Sequence, residues 1–197
     1  MAKRLFDIVL AALGLLLLAP LLLLIAAWIR VDSAGPILFR QERVGRYGRP
    51  FLIHKFRTMR VDAPQLGLPI TVGADSRITR AGRFLRRSKL DELPQLWDVL
   101  RGAMSLVGPR PEVPKYVALY PAAMRELILS VRPGITDPAS AAFRDEATIL
   151  AQASDPEREY VESVMPRKLA LSSQYVLEQS LYRDVQVIMQ TLRLLRR

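Results

Sequence analysis

Two adjacent carboxylates, Asp91 and Glu92, are the residues in this sequence best suited to chemistry on a phosphate group. Neighbouring side chains on a helix point about 100° apart, so these two do not face each other as the carboxylates of a glycosidase do. One of them could act as a nucleophile or a metal ligand while the other assists it. A structural interpretation stays open, in which Ser88 and Asp91 form a variant of the helix capping box.

A rigid arginine follows these carboxylates along the chain. Pro109 and Pro111 fix the backbone on both sides of Arg110, so its side chain has little conformational entropy left to lose on binding. A guanidinium held in this way suits a bidentate grip on phosphate, although the same residues could form no more than a rigid turn. Further cations lie just before the carboxylates, at Arg83, Arg86, Arg87 and Lys89.

The segment HKFRTM adds two more cationic side chains. On a strand, Lys55 and Arg57 share one face while His54 and Phe56 share the other, which fits either a phosphate site or a solvated edge. We expect a structural role for His54. Carboxylates among fixed cations predict phosphoryl transfer with a divalent metal, because the positive charges would neutralise phosphate and let an anionic carboxylate approach.

The composition excludes several other kinds of chemistry. The chain has no cysteine, which removes disulfides, thiol nucleophiles and thiolate metal sites, and its single histidine excludes paired-histidine sites. The nucleophile and the base must therefore come from Asp, Glu, Ser, Thr or Lys. The formal net charge of +10 favours anionic partners such as phosphate esters, acidic lipid or nucleic acid.

The elements that must position these residues follow from the spacing of apolar side chains. A helical stripe ended by Gly102 consists of Leu93, Leu96, Trp97 and Leu100. Pro94 is tolerated only near the start of such a helix, which predicts that the two carboxylates lie at its N-terminus. Two short strands, 37–41 and 50–56, are predicted on either side of a glycine-containing turn.

Two amphipathic segments are predicted beside these elements. One has a basic face formed by arginines at helical spacing, namely Arg77, Arg80, Arg83 and Arg87. The other, at the C-terminus, has an apolar face formed by Leu177, Leu181, Val185, Ile188, Leu192 and Leu195. It finishes with Arg193, Arg196 and Arg197. We expect the first half of this C-terminal helix to pack on the domain and its basic end to contact the membrane.

An uncharged run over residues 8–29 has the length of about 20 residues that a bilayer core requires. Pro20, preceded by Ala19, stands at its centre, where a proline kinks or breaks a helix. Basic residues flank the run on both sides, so the positive-inside rule gives no preferred orientation for a span. We therefore predict a re-entrant membrane hairpin over residues 1–30 that bends at Ala19 and Pro20, followed by one water-facing catalytic domain over residues 31–197. A kinked single span is the alternative.

Five motifs in order resemble a known family. They are KRLFDIVLAALGLLLLAPLLLL, FRQERVGRYGRPFLIHKFRTM, RSKLDELPQLWDVLRGAMSLVGPRPE, VRPGIT and YRDVQVIMQTLRLL. Over nearly the whole chain they are similar to the bacterial sugar transferases, the monotopic phosphoglycosyl transferases, and the length resembles that of the small members, which consist of the catalytic core. The resemblance implies a membrane-associated α/β fold, mainly helical, with a small β-hairpin, a re-entrant N-terminal helix and amphipathic helices at the membrane interface.

The resemblance also implies a reaction. In this family a phospho-sugar moves from a nucleotide diphospho-sugar, usually a UDP-sugar, to a polyprenol phosphate such as undecaprenyl phosphate, and the nucleoside monophosphate is released. Asp91 matches the family's nucleophile, which forms a covalent aspartyl phospho-sugar intermediate with Mg²⁺ bound nearby. Glu92 matches the second acid, with a role in metal binding or proton management. This would be the first membrane step of glycan assembly, at the cytoplasmic face of the bacterial inner membrane.

The same resemblance assigns substrate-binding residues. They are Lys55, Arg57, Arg86, Arg110 and Arg144. The chain departs from the family at Ala19, where the family has a serine before the proline. After Thr136 it also departs from the pattern Gly-x-Ala-Gln-x-x-Gly-Arg, because Asp137 and Phe143 replace the two glycines and Ser140 replaces the glutamine, whereas Arg144 keeps its position. This altered loop leaves the identity of the sugar open.

Two other functions stay open on the residues alone. The net charge would suit a membrane-anchored nucleic-acid binder, but the sequence lacks interleaved aromatic side chains or a recognition helix, so we expect no nucleic-acid partner. A scaffold on anionic lipid would leave the joint presence of Asp91, Glu92 and Arg110 unexplained. The expected partners are a UDP-sugar, polyprenol phosphate and membrane lipid, and the sequence leaves a homodimer open.

Overall fold

The computed structural model describes residues 1–63, 66, 70–73 and 75–195. Its α-helices are α1 (Ala2–Asp32), α2 (Arg80–Ser88), α3 (Gln95–Arg101), α4 (Pro114–Val117), α5 (Ala122–Leu129), α6 (Pro138–Ala142), α7 (Glu146–Ala151), α8 (Pro156–Glu159), α9 (Met165–Leu177) and α10 (Leu181–Leu195). Its strands are β1 (Leu38–Val44), β2 (Pro50–Phe56), β3 (Ser105–Val107) and β4 (Gly134–Thr136). The prediction of a mainly helical α/β fold is confirmed.

α1 is the long apolar helix that the sequence predicts. It is long and apolar enough to cross a membrane, with a mean hydropathy of 3.0 over its most apolar window. The leucines near its middle face outward: Leu16, Leu17, Leu23 and Leu24 are between 69% and 75% exposed. The helix runs on through Pro20 without interruption, so the bend at Ala19 and Pro20 stays a prediction.

Polar contacts hold both ends of α1 to the rest of the chain. Near its start, Lys3 donates to the carboxylate of Asp184 over 2.6 Å, and Arg4 donates to two carbonyls at the C-terminal end of α3. At its other end, the carboxylate of Asp32 accepts from the backbone N–H of Ala81, in the first turn of α2, over 3.0 Å. The apolar middle of α1 therefore lies between two ends that contact the same domain.

Apolar side chains form three core clusters that matter for the site. The first consists of Ala11, Ile53, Val99 and Met104. The second consists of Ile25, Ile29, Phe56 and Leu85. The third consists of Val113, Tyr116, Ile128, Leu150, Tyr160, Val164, Met165 and Leu169. Because β2 contributes to the first two clusters, it is fixed against both halves of α1.

Two small sheets complete the fold. β1 and β2 form the predicted hairpin, antiparallel, with Leu38 opposite Phe56 and Val44 opposite Pro50. β3 and β4 form a parallel pair that the sequence did not predict, with Val107 opposite Thr136. Both segments are only three residues long, too short for a recognisable alternation of apolar and polar side chains. The parallel pair sets the loop 108–111 beside Asp137, the residue that precedes α6.

Two glycines allow this parallel pair to come close. A Cβ atom added to Gly134 would lie 2.1 Å from the backbone nitrogen of Gly108 and 2.5 Å from its carbonyl oxygen. Backbone atoms of a neighbouring strand cannot move aside as a flexible side chain can. The loop that carries Arg110 therefore depends on the absence of a side chain at Gly134.

Gly134→Ala is expected to destabilise the protein by at least about 1–3 kcal/mol, because the new methyl group must push β3 and β4 apart. Thermal unfolding in detergent would show this as a lower Tm. Gly14→Ala is the matched control, since its new Cβ atom would meet only side-chain atoms of Leu96, at 3.2 Å and beyond. Equal Tm values for the two variants would contradict the prediction.

The C-terminal helix packs on the domain with a different face from the predicted one. In α10, the packed side carries the buried Asp184 and Val187. The predicted apolar face is instead exposed at Leu177, Leu181, Val185 and Leu192. The first half of this helix therefore packs on the domain as predicted, but through a different face, because hydrogen bonds from Lys3 and Tyr175 hold Asp184 on the inside. The side chain of Leu195 and residues 196 and 197 lie outside the described residues.

Candidate active site

Asp91 and Glu92 lie in a single 3-10 turn, Leu90–Glu92, between α2 and α3. α2 ends at Ser88, and the next residue, Lys89, adopts the left-handed conformation with φ of 58°, which reverses the chain into the turn. α3 begins only at Gln95, so the carboxylates precede the predicted helix rather than forming its first turn. The capping interpretation was also wrong, because the Ser88 hydroxyl donates to carbonyls of the preceding turn of α2.

Glu92 is the carboxylate whose charge is compensated. Lys55 donates to Glu92 Oε1 over 3.0 Å, and Arg110 donates to both of its oxygens, over 3.1 Å to Oε2. Burial works against the charged form, but Arg110 and Lys55 outweigh it and hold the pKa of Glu92 well below its usual value. Glu92 is therefore ionised at neutral pH and fixes two cations in the site.

Asp91 is the carboxylate whose charge is not compensated. Its side chain is nearly buried, at 7% exposure, and its Oδ1 atom has no hydrogen-bond partner among the described residues. Burial and the neighbouring carboxylate of Glu92 raise the pKa of Asp91 above its usual value, although Lys55 and Lys89 oppose the shift. Two adjacent carboxylates thus have opposite pKa shifts, a pattern typical of residues with separate chemical roles.

Lys55 reaches the carboxylates from the end of β2. Ile53, two residues earlier, is buried in the first core cluster, and Phe56 is buried in the second, so the strand has little freedom at this point. Burial lowers the pKa of Lys55, while the ion pair with Glu92 opposes that shift. Lys55 is therefore brought to the site as predicted.

Arg110 is positioned by its backbone as well as by its prolines. Its N–H donates to Asp137 Oδ2 over 3.3 Å, and Asp137 is only 1% exposed. The same carboxylate accepts from the N–H of Ser140 over 2.6 Å and from the hydroxyl of Ser172 over 3.1 Å. Asp137 therefore ties the Arg110 loop to α6 and α9. Sequence reasoning noted Asp137 only as a departure, although Asp followed by Pro is a signal for a helix N-cap.

Arg86 lies close to the site without bonding to either carboxylate. Its Nε donates to the Thr58 hydroxyl over 2.9 Å and its NH1 to the Thr71 hydroxyl over 2.8 Å. Burial lowers the pKa of Arg86, while the charge of Asp91 opposes the shift. Arg86 thus contributes positive charge near Asp91, and its role in substrate binding stays a prediction.

The structure does not bring the remaining two predicted cations to the carboxylates. Arg57 donates to the carbonyls of Ser33 and Ala34, so it connects the end of β2 to the segment after α1. Arg144 donates to the carbonyl of Leu194 over 2.6 Å. Their contacts in the described part of the chain are structural, and substrate binding by either one stays a prediction.

His54 makes the structural contacts that we expect of it. Its Nδ1 lies 2.7 Å from Asp98 Oδ1, and its backbone N–H donates to Asp98 Oδ2 over 2.9 Å. Both side chains are buried. Because Asp98 lies in α3 and His54 in β2, this pair holds the strand that carries Lys55 against the helix that follows the carboxylates.

A divalent cation could be held at this site with the help of a substrate. Among the described residues, no group of three or more His, Cys, Asp or Glu side chains is arranged to hold a metal ion. Mg²⁺ is commonly bound by one or two carboxylates together with substrate phosphates and water. The unpartnered Oδ1 of Asp91 fits such a site, whereas both oxygens of Glu92 are already engaged by Arg110.

Comparisons with known proteins agree on one family. The family described as bacterial sugar transferase matches residues 1–197. A UDP-glucose:undecaprenyl-phosphate glucose-1-phosphate transferase of Caulobacter vibrioides is 42% identical over 193 residues, covering 96% of this chain and 67% of the relative. An undecaprenyl-phosphate glucose phosphotransferase of Komagataeibacter xylinus is 41% identical over 198 residues, covering 97% of this chain. A UDP-glucose:undecaprenyl-phosphate glucose-1-phosphate transferase of Escherichia coli is 37% identical over 192 residues, covering 96% of this chain.

The relatives are longer than this chain. It spans 35% of the length of the Komagataeibacter xylinus protein and 39% of that of the Escherichia coli protein. The similarity nevertheless includes both the apolar helix α1 and the turn that carries Asp91 and Glu92, since it extends over nearly all of this chain.

Proposed function

The chain belongs to the bacterial sugar transferase family, and we propose that it transfers a sugar 1-phosphate from a UDP-sugar to undecaprenyl phosphate and releases UMP. The observation that carries this proposal is the nearly buried Asp91, whose Oδ1 atom has no hydrogen-bond partner among the described residues, while the adjacent Glu92 holds Lys55 and Arg110 in place. Relatives named as transferases of this kind support the choice of substrates. The product would start the synthesis of a polysaccharide or another glycan.

In the first step, an ionised oxygen of Asp91 attacks the β-phosphorus of the UDP-sugar. An acyl phosphate bond forms to the phospho-sugar as the bond from the β-phosphorus to the bridging oxygen breaks. UMP leaves with that oxygen and its electron pair. Asp91 suits this role because its Oδ1 has no hydrogen-bond partner among the described residues, so no hydrogen bond has to break before the attack.

The cations of the site act on the diphosphate. Arg110 and Lys55 are held in place by Glu92 before any substrate binds, so little reorganisation is needed when negative charge develops on the departing UMP. Glu92 would thus serve to position cations. Arg86, which precedes Asp91 in the chain, adds further positive charge near that carboxylate.

In the second step, a phosphate oxygen of undecaprenyl phosphate attacks the phosphorus of the acyl phosphate. The bond to Asp91 breaks and the carboxylate leaves with its electron pair, ready for another turnover. The product is a diphosphate that joins the polyprenol to the sugar. Neither step requires a proton transfer, because both attacking groups are anions, which agrees with the lack of a described histidine contact to Asp91 or Glu92.

We propose that Mg²⁺ is held by Asp91 together with phosphate oxygens of the substrate. When bound, the ion supplies positive charge that offsets the charge of the diphosphate. The sequence also suggested Glu92 as a magnesium ligand. Its oxygens accept hydrogen bonds from Lys55 and Arg110, so Glu92 is a less suitable ligand than Asp91.

We also propose that α1 enters the membrane and returns to the same face. Lys3 and Arg4 near its start and Asp32 at its end all bind residues of the catalytic domain, so both ends belong on the domain's side. The exposed leucines between them would lie in lipid. We propose that this side is the cytoplasmic face of the inner membrane, where a soluble nucleotide sugar and a lipid phosphate would meet at Asp91.

Arg110→Lys is expected to lower kcat/KM for the UDP-sugar by about 10- to 100-fold. An ammonium group cannot reproduce the forked contact of the guanidinium with both Glu92 oxygens, so the cation is less firmly placed. Initial rates of UMP release would measure this. Arg125→Lys, on the exposed side of α5, is the control and should keep the original rate. An Arg110→Lys variant as active as the control would exclude a role for the guanidinium.

The proposed reaction is tested with the purified protein, undecaprenyl phosphate, Mg²⁺ and a panel of UDP-sugars. We expect UMP release with at least one UDP-sugar, and we expect rapid quenching to trap a phospho-sugar adduct that mass spectrometry locates on Asp91. Omission of undecaprenyl phosphate should limit UMP to one molecule per protein. Unlimited UMP release without the lipid, or an adduct on another residue, would overturn the proposed mechanism.

A further inference from the structure

α2 presents a row of arginines that the proposed reaction does not use. Arg80, Arg83 and Arg87 are exposed and share one side of the helix; we refer to them as the α2 arginine face. In the described part of the chain none of the three forms an ion pair, and Arg83 makes one long hydrogen bond, of 3.4 Å, to the carbonyl of Ile78. The opposite side of α2 is buried through Ala81, Gly82 and Leu85.

α2 runs antiparallel to the last two turns of α1. Its first turn is bound to Asp32 through the N–H of Ala81. One turn later, the ring of Phe84 lies 5.4 Å from the ring of Trp28. Leu85 then packs with Ile25 and Ile29 in the second core cluster. As α2 proceeds from residue 81 to 85, its contacts on α1 therefore move back from residue 32 towards residue 25.

This alignment puts the α2 arginine face where α1 leaves the membrane. The last turns of α1 expose apolar side chains, with Leu24 at 69% and Val31 at 87% exposure. Trp28 and Phe84 are both exposed and in contact, and an exposed tryptophan such as Trp28 is typical of the headgroup level of a bilayer. The three arginines lie on the helix that carries Phe84, and their long side chains can extend to the headgroup level from different positions along that helix.

We propose that the α2 arginine face binds the phosphates of anionic phospholipid headgroups. Guanidinium groups bind phosphate oxygens through paired hydrogen bonds, and basic side chains at a membrane surface attract acidic lipid. The proposal rests on the membrane placement of α1 given above and adds a preference for a class of lipid.

Tryptophan fluorescence can test this lipid preference directly, because the chain has only two tryptophans. In a Trp97→Phe background, Trp28 is the sole reporter and lies next to α2. The protein is placed in vesicles that contain equal mole fractions of phosphatidylglycerol and phosphatidylcholine, with bromine atoms on the acyl chains of one lipid or of the other. We expect brominated phosphatidylglycerol to quench Trp28 about twofold more than brominated phosphatidylcholine in low salt, and the ratio to approach one in 1 M salt.

The triple variant Arg80→Gln, Arg83→Gln, Arg87→Gln should reduce the quenching ratio to one in low salt. A double variant, Arg125→Gln with Arg167→Gln, is the control, because these exposed arginines lie on helices of the third core cluster, which contains no residue of α1. It should keep the original ratio. A ratio of one in the parent protein, or a triple variant that retains the preference, would overturn the proposal.

Two further outcomes separate this proposal from its alternatives. If undecaprenyl phosphate at a few mole per cent removes the preference for phosphatidylglycerol, the face binds the carrier lipid and the proposal is overturned. If neither brominated lipid quenches Trp28, the membrane placement of α1 is wrong and the proposal fails with it. UMP release in the same vesicles tests the reaction separately, and we expect the triple variant to retain turnover in phosphatidylcholine.

Discussion

Asp91→Asn is expected to reduce UMP release by at least about 10³-fold and, at the same time, to raise the Tm of the protein. The loss of activity follows from the proposed chemistry, since an amide oxygen is a far weaker nucleophile than a carboxylate and cannot form the acyl phosphate. An adduct with the phospho-sugar should be absent from this variant. Single-turnover UMP release and mass spectrometry of the quenched protein measure the two effects.

The expected rise in Tm follows from the direction of the pKa shift. Burial and Glu92 raise the pKa of Asp91, so the ionised carboxylate is less stable in the folded protein than in the unfolded chain. Stability is therefore lost as the pH rises through the raised pKa. Asn does not titrate, so at neutral pH the variant should unfold at a higher temperature than the parent protein.

The two effects together distinguish a nucleophile from a structural carboxylate. A carboxylate needed for folding would lower both the activity and the Tm when it is neutralised. Asp98→Asn provides that comparison, because Asp98 is buried and accepts from His54 through both of its oxygens. We expect its Tm to fall. An active Asp91→Asn protein would remove Asp91 from the role of nucleophile.

Much of the site could be predicted because its residues occur in short segments with strong local constraints. Arg110 lies between two prolines, Lys55 lies on a strand bounded by a glycine-containing turn, and Asp91 lies just before Pro94. Local backbone rules place each of these residues. Such rules predict the local structure of each segment. They do not predict that the three segments meet, which came from the resemblance to the family.

The parts that could not be predicted depend on contacts between distant segments. Asp137 is 27 residues from Arg110 in sequence, and only the parallel pairing of β3 with β4 brings them together. Arg57 turns to the carbonyls of Ser33 and Ala34 although Lys55, two residues away, turns to the carboxylates. Alternation along a strand would have placed both cations on one face. β2 ends at Phe56, so Arg57 no longer follows the strand.

The two carboxylates of the site have different roles: Glu92 contributes to stability and Asp91 to reactivity. Glu92 is surrounded by Lys55 and Arg110, which keep it charged, whereas Asp91 keeps an oxygen without a described partner. A protein that paired both carboxylates would be more stable but would hold no free nucleophile. Neutralising Glu92 should therefore have the opposite effect on stability from neutralising Asp91.

Glu92→Gln is accordingly expected to destabilise the protein by about 3–5 kcal/mol, because it leaves Lys55 and Arg110 as two neighbouring cations without their counter-ion. This is a large part of the 5–15 kcal/mol that stabilises a typical domain, so the variant could fail to fold. The double variant Glu92→Gln, Lys55→Met removes one of the stranded charges and should recover about 1–3 kcal/mol. Urea unfolding in detergent micelles would measure both values.

The pKa of Glu92 determines how the loss of stability in Glu92→Gln should change with pH. Its pKa is held well below the ordinary value of 4.5, so its stabilising effect is complete above pH 4.5 and is lost as the pH falls through the lowered pKa. The difference in unfolding free energy between the parent protein and Glu92→Gln should thus stay constant from pH 7 to pH 5 and shrink below it. If the difference in unfolding free energy shrinks as the pH rises instead, Lys55 is losing its proton in the range measured. Burial, and not the ion pair with Glu92, would then determine the charge of Lys55.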